Sequence, residues 1–341
     1  MAFQISPGVN VSEVDQTTVV PAVITTAGAF AGNFSWGPAD QLTLVDSELT
    51  LINQFGKPND SSAISFFTAA NFLSYGNNLT VVRAVGNNAN NATVSGNIQI
   101  KNRNVFENTL LNSDNENDYG AFMAKYPGAL GNSLQVSVVD NSTAFSSWKY
   151  KSYFQSAPGT SAQATAAGGS HDEMHIVVID QDGKFTGVPG QVLETFGYLS
   201  KASDAVYNGA TNYYKQVLFN SSKYIYAVDP ISYSTTHATW GLTSGTTFTT
   251  VTGNTTVSLT NGSDVSPTDG NLQSGFDLFE NKDAIDISLI ITGDASATVQ
   301  NHVITGIAAT RADCLAFISP GQTDVVNNAG SEKTSIESWL A

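Results

Sequence analysis

Two stretches of this chain, one towards each end, carry the pattern of a parallel sheet, and neither is complete alone. Residues 284–318 read as strand, helix, strand. Ala284–Thr292 is an apolar run, Ala295–Ala312 sets Val299, Val303 and Ile307 on one helical face, and Cys314–Ile318 is a second apolar run before Ser319-Pro320-Gly321. A helix of that length carries the chain back across the sheet, so the two strands are predicted to be parallel. Residues 22–86 supply the missing partners: a strand within Ala22–Ala31, helices over Ser47–Phe55 and Ala63–Tyr75, and a strand from Leu79 to Val85. Ser47 is placed to cap the first helix, with Leu49, Ile52 and Phe55 on one face, and Gly56-Lys57-Pro58 ends it. The second helix carries Ile64, Phe67, Ala70, Phe72 and Leu73 as its apolar residues, with Gly76 just past its end. The expected fold class is α+β multidomain: a discontinuous α/β core of about 21–86 and 281–341, interrupted by β-rich inserted domains, with an extended N-terminal arm.

The interruption divides, on composition, into two units. Residues 87–165 open with the Asn-rich break Gly86–Asn97, hold short strands at Thr93–Ile100 and Leu134–Val139, and lose periodicity over 140–170; they read as an inserted β-rich outer domain. Residues 166–280 read as a second inserted α+β domain. In it Met174–Ile179 and Lys184–Phe185 flank the turn Asp180-Gln181-Asp182-Gly183, Val192–Leu199 reads as a helix, and Phe248–Leu259 reads as an exposed ribbon rich in Thr. Asn261-Gly262 and Asp269-Gly270 mark turns, and the chain closes in a helix over Ser331–Leu340. Residues 1–20 form the arm. After Ser6-Pro7-Gly8, Val9, Val11 and Val14 alternate with polar residues, and Pro7 restricts pairing to an edge or a strand start. No hairpin partner lies nearby. Pro7, Gly8, Val9, Val11, Glu13 and Val14 are therefore expected to form an inter-subunit arm, a strand donated to another subunit.

Composition excludes several classes of function. The formal net charge is −15, with four His and no basic run among the 14 Lys and Arg, which repels nucleic-acid phosphates and anionic membrane surfaces. No segment approaches the roughly 18 apolar residues of a membrane span, and Met1–Pro7 lacks the basic and apolar regions of a signal peptide. Neither nucleic-acid binding nor membrane insertion is expected, and synthesis in a cytoplasm is. Only 13% of residues are charged, about half the usual share, so Asn, Ser, Thr, Gln and Gly must cover the surface. That suits a turn-rich β protein, and one that buries surface against copies of itself. Cys314 is the single cysteine, so no internal disulfide forms.

No catalytic constellation survives inspection. His171, Glu173 and His175 would share a face of a strand, but the order is not H-E-x-x-H and the following Ile176–Ile179 is not helical, so a polar strand entry is the better reading. Asp114–Gly120 has the acidity of a calcium loop, yet Tyr119 and Lys125 stand where the loop needs Gly and Glu. Cys314 with His302 offers a thiol and a base, but Cys314 lies in a buried-looking strand and reads as a core residue. Gly293 follows a strand without the second glycine of a phosphate loop. The expectation is a protein that is not an enzyme and uses no cofactor and no metal.

What remains are motifs without catalytic content, and they point to a family. Ser6-Pro7-Gly8-Val9 with Glu13, Gly32–Pro38, Phe55-Gly56-Lys57-Pro58, Asn71–Asn77 with Val81-Val82-Arg83-Ala84, Ala124-Lys125-Tyr126-Pro127-Gly128-Ala129-Leu130-Gly131-Asn132, and Gly275-Phe276-Asp277 with Asp286–Gly293 follow one another in order. Together they resemble the N-terminal and middle part of the tail sheath proteins of contractile-tailed (myovirus-type) bacteriophages. The resemblance implies a structural subunit that stacks with other sheath subunits in rings around an inner tail tube protein, meets baseplate and tail terminator proteins, and contracts to drive the tube through the host envelope for genome ejection. It implies a place in the virion, in the tail sheath, after assembly in the host cytoplasm. The family carries a further C-terminal domain, and nothing after Thr323 supplies it, so that domain is expected to be missing. The alternatives are a glycan-binding phage or surface adhesin built on the Thr- and Asn-rich segments, the sheath of a bacterial contractile injection system, and an enzyme of Rossmann-like fold.

Overall fold

The computed structural model describes residues 26–111, 118–230, 239–251 and 253–340. The arm expected over residues 1–20, with Pro7, Gly8, Val9, Val11, Glu13 and Val14, lies outside the described residues, as does most of the Asp114–Gly120 loop.

The first segment of the chain runs through two strands, two helices and a third strand: β1 (Gly28–Gly32), β2 (Thr43–Val45), α1 (Glu48–Phe55), α2 (Ala63–Leu73) and β3 (Leu79–Arg83). The middle holds β4 (Asn91–Thr93), α3 (Arg103–Thr109), β5 (Phe122–Pro127), β6 (Leu134–Val139), α4 (Ser142–Ser147), α5 (Ala162–Ala167), β7 (Glu173–Asp180) and β8 (Gln191–Ser200). It continues through the small hairpin β9 (Val206–Tyr207) and β10 (Ala210–Thr211), then α6 (Tyr214–Ser221), β11 (Ile225–Ala227) and β12 (Thr255–Ser258). The last segment returns to α7 (Asp269–Asp277), β13 (Leu289–Ile291), α8 (Ala297–His302), a π-helical stretch Val303–Ala308, α9 (Ala309–Arg311), β14 (Leu315–Phe317), α10 (Gln322–Val325) and α11 (Glu332–Leu340).

A five-stranded sheet takes strands from both ends of the chain, in the order β14-β13-β1-β3-β2. β1 pairs in parallel with β3 on one side and β13 on the other, with Gly28 opposite both Leu79 and Leu289. β13 and β14 are also parallel, Leu289 to Leu315, as the intervening helix requires, while β2 runs antiparallel to β3. The pleat sends alternate residues to opposite faces. Ala29, Ala31, Val82 and Ile290 pack under Phe276, Phe279, Val299, Val303 and Ile307. Phe30, Leu79 and Val81 face the other way, against Leu51, Phe55, Phe66 and Ala69 of α1 and α2. The small residues of β1 explain how α7 comes so close: a Cβ at Gly275 would stand 3.3 Å from that of Ala31. Ser47 caps α1 by accepting from the Thr50 amide.

The helix faces differ from expectation. In α1 the buried residues are Leu51 and Phe55, while Leu49 is 67% exposed; in α2 Phe66, Ala69 and Ala70 are buried, and Ile64 and Phe67 are more than half exposed. Both helices are short, and one edge of a short apolar helix cannot be told from the other until the sheet beneath it is placed.

The inserted residues form a second layer of two antiparallel sheets, β12-β6-β7-β8 and β11-β5-β4. A division at 165/166 does not appear in the pairing: β6 lies between β7 and β12, and β5 pairs with β11, so both sheets are shared across it. One core explains why. Phe122, Leu134, Val136, Ile176, Val178, Tyr214, Leu218 and Ile225 pack in a single cluster, and neither half could bury its share alone. Residues 191–200 are the strand β8 rather than a helix, because β7 is buried on both faces and its second row of amides needs a partner. Lys184–Phe185 is not a strand either. The buried Asp180 carboxylate accepts from the amides of Phe185 (3.0 Å) and Thr186 (2.8 Å) and from Ser133 Oγ (2.6 Å), which curls 181–190 into a loop. In the expected exposed ribbon, Thr255–Ser258 is an edge strand on β6, and Phe248, Val251 and Leu259 are buried. Lys201 and Asp140, both fully buried, form a 2.8 Å ion pair that ties the end of β8 to the end of β6.

Phe276→Ala tests the inner face of the parallel sheet, because Phe276 is completely buried there. Unfolding by urea is expected to show a loss of about 3–5 kcal/mol, against less than about 0.5 kcal/mol for Leu44→Ala at the exposed sheet edge.

Candidate functional site

The two layers meet at a joint built around Arg83. β3 is a fully buried strand, and Arg83 ends it at 2% exposure. Its Nε donates to the carbonyl of Phe34 at 2.8 Å, Nη1 to that of Gly37 at 2.7 Å, and Nη2 to that of Pro127 at 2.7 Å. Phe34 and Gly37 lie in the turn after β1; Pro127 ends β5 in the inserted layer. One planar guanidinium thus holds three backbone carbonyls from two layers, a geometry an ammonium cannot copy. Burial pulls the guanidinium down to about 10, against the pull of the Asp264 carboxylate, and it stays charged at neutral pH. Asp264 itself accepts from the Ala129 amide at 3.1 Å. Gly128 sits between them at φ 137°, where a Cβ would stand 2.9 Å from Asp264 Oδ1 and 3.1 Å from the Ser35 carbonyl.

Two further contacts fix the joint. Trp36, from the turn after β1, is buried in the core of the inserted layer, edge-on to Tyr126 (5.4 Å) and Phe185 (5.0 Å). The two crossings of the chain are also bonded to each other: Gly86 N to Val265 O at 3.0 Å, Asn90 and Ser263 reciprocally at 3.2 and 3.1 Å, and Thr93 and Thr260 reciprocally at 2.7 and 2.8 Å. Gln99 Nε2 donates to the carbonyls of Gly86 (2.7 Å) and Ala89 (2.9 Å). A buried charge, an aromatic plug and paired strands thus hold the two layers against each other at one place.

At the far end of the parallel sheet the face carrying α1 and α2 is left partly uncovered. A groove of about 710 Å³ runs between α2 and β13–β14, lined by Ile64, Phe72, Leu289, Ile291 and Phe317, with Gly293 and Asp294 at one end. β14 is a sheet edge among the described residues, and its Leu315 and Phe317 are 60% and 49% exposed. Cys314, expected in the core, is only half-buried beside this edge.

The other candidate residues do not converge. His171 and His175 are separated in role: His171 is exposed at φ 59°, whereas His175 is buried within an aromatic cluster. Among the described residues no group of His, Cys, Asp and Glu could hold a metal ion. His302 pairs with Asp277 at 2.6 Å. Gly293 has φ 60° and abuts Phe30 and Thr68. Arg83 and Trp36 were legible only as parts of motifs. The signal for Arg83 was its place, a lone cation closing the apolar run Leu79–Val82.

Comparison with known proteins sets the joint in context. Residues 25–84, which contain β1 to β3 and end one residue after Arg83, match the family "Tail sheath protein Gp18 domain III N-terminal region". The chain is 34% identical over 194 residues to the tail sheath protein of Salmonella phage ViI, which covers 56% of this chain and 28% of that protein. It is 44% identical over 99 residues to the tail sheath protein of Enterobacteria phage T4, covering 28% and 15% respectively. The sheath tail protein Lin1278 from Listeria innocua overlays on 88% of this chain and 49% of its own, with a TM-score of 0.47 and 11% identity. The matched part thus spans under a third of the length of either phage protein.

Arg83→Met removes the donors and leaves three carbonyls facing an apolar chain. It is expected to lower stability by about 3–5 kcal/mol in urea unfolding. Arg83→Lys should recover less than half of that loss, because one ammonium cannot reach three carbonyls set around a planar fork.

Proposed function

Because the N-terminal and middle part of this chain is tail sheath sequence, we propose that it serves as a structural subunit of a phage contractile tail sheath. In this reading it stacks with copies of itself around the inner tail tube, meets the baseplate and tail terminator proteins at the ends, and shortens to drive the tube through the host envelope. It is assembled in the host cytoplasm and resides in the virion. The observation that carries the reading is the sequence relation to two phage tail sheath proteins. The joint around Arg83 supports it: contraction by rigid-body rearrangement needs subunits that move without bending between layers. The net charge of −15 supports contacts with protein rather than with nucleic acid or membrane.

The parallel-sheet layer of 21–86 with 281–341 is the sheath core in this proposal, and the inserted layer projects from it. Pro7, Gly8, Val9, Val11, Glu13 and Val14 link neighbouring subunits as a donated strand.

Negative-stain electron microscopy of the protein mixed with tail tubes tests both parts. Hollow striated cylinders around the tubes are expected. Val9→Asp combined with Val11→Asp should abolish them while leaving the unfolding free energy within about 0.5 kcal/mol of the parent. Bare tubes with dispersed parent protein across salt and concentration would overturn the sheath reading. Cylinders formed equally well by the variant would overturn the arm alone.

A further inference from the structure

The outer face of the β7–β8 pair carries a histidine whose surroundings fix its charge. His175 is completely buried. Its ring stacks on Phe154 with centroids 4.2 Å apart and planes 4° apart, and meets Tyr198 edge-on at 4.6 Å, with Trp148 and Phe145 beyond. Both ring nitrogens are engaged. Nδ1 lies 3.0 Å from the backbone amide of Tyr198, which can only donate, so Nδ1 is bare. Nε2 therefore carries the proton and donates it to the carbonyl of Ser156 at 2.9 Å.

A distortion of β8 produces this arrangement. The β7–β8 register shifts between Met174 and Ile176, and opposite the shift Tyr198 adopts φ 56°. That bulge turns the Tyr198 amide onto Nδ1 and sends its hydroxyl to Ser156, whose amide lies at 3.0 Å and Oγ at 2.9 Å. Gly197 completes the fit, since a Cβ there would stand 3.2 Å from the Phe154 ring. Ser156 and Phe154 belong to the segment 148–159, which crosses this face after α4. Its later part is held by Gly159 N donating to the Glu173 carboxylate at 2.9 Å.

We propose that His175 is a proton-operated latch: the neutral imidazole fastens the strap 148–159 to the β7–β8 layer, and a proton taken up at Nδ1 releases it. A proton on Nδ1 would face the Tyr198 N–H, two donors with nothing between them. The titratable groups packed around the ring offer no compensation. Tyr198 from β8 and Tyr150 from the strap bring no carboxylate, the strap's Lys149 lies over the Tyr150 ring and its Lys151 donates to the Ser146 carbonyl, α4 contributes no titratable group, and Glu173 on β7 is committed to Gly159, its carboxyl pushed up by burial. Burial likewise holds the imidazole below its ordinary value, and outweighs the backbone groups of Ser156 and Met174 that favour the charged ring. The sign follows: the released strap leaves a histidine near the usual 6.5, so the open form binds more protons as pH falls below about 6.5. The latch holds fully above that value and weakens below it.

Hydrogen exchange at the Ser156 and Tyr198 amides, corrected for intrinsic rates, reads the latch directly. Between pH 7.5 and pH 5.0 the parent protein is expected to lose protection by about tenfold or more. His175→Gln, which cannot take up a proton, should show no such change. Constant protection in the parent over that range would overturn the proposal, as would an equal loss in the variant. Should His175→Gln fail to fold, the imidazole resonances of the parent decide. Titration at 6.5 or above with the strap still protected would also overturn it.

Discussion

A guanidinium withdrawn from water, with its bonds directed at three carbonyl oxygens, is the contact on which the relation of the two layers depends. Neither partner is comfortable without the other. The carbonyls of Phe34, Gly37 and Pro127 sit in a tight turn and at a strand end, where the sheet ladders do not reach them. The cation could not be buried without acceptors. Because the acceptors are backbone atoms, the interaction specifies positions of the chain rather than of side chains, and it does so on both sides of the joint.

The rest of the joint follows from that anchoring. With Pro127 drawn towards β3, Tyr126 comes against Trp36, and the indole of Trp36 becomes part of the core of the inserted layer. The crossing segments then lie close enough to exchange hydrogen bonds as a short antiparallel pair. Within the inserted layer two buried carboxylates repeat the logic. Asp180 gathers the amides of the 181–190 loop, and Asp140 holds Lys201 and the amide of Val251. Asp180 also accepts from Ser133, and Asp140 reaches residues 201 and 251, so each carboxylate joins segments distant in sequence as well.

How much of this could be read beforehand depended on the range of the interaction. Local signals worked. Ser47 caps the first helix, Val299, Val303 and Ile307 face the sheet together, and the strands on either side of that helix are parallel. Where a partner distant in sequence decides, the reading failed. The run Gln191–Ser200 has apolar residues at spacings that fit either period, and only the exposed edge of β7 makes it a strand. The inserted residues looked like two units because the stretch 140–170 lacks periodicity. In fact that stretch wraps a sheet whose strands come from both sides of it. His171 and His175 invited a metal reading, but the strained backbone at His171 and the aromatic enclosure of His175 separate them. Arg83 carried one local sign, its place at the end of the run Leu79–Val82, but the three carbonyls that receive it come from Phe34, Gly37 and Pro127, which no local pattern joins to it.

The pairing of Gly28 with Leu289 has a consequence for the order in which the molecule forms. On a ribosome the chain emerges from its N-terminus, so β1 and β3 appear long before the strand that must lie against the other edge of β1. Until residue 291 has emerged, that edge stays open, and Ala29 and Ala31 lack the cover of Val299, Val303 and Ile307. The inserted layer is complete in sequence well before then. Its antiparallel pairs and its hydrophobic clusters include no residue from the C-terminal segment. Nascent chains would therefore carry a finished outer layer on an unfinished base, a state in which an unpaired parallel strand is exposed to neighbouring chains on the same message.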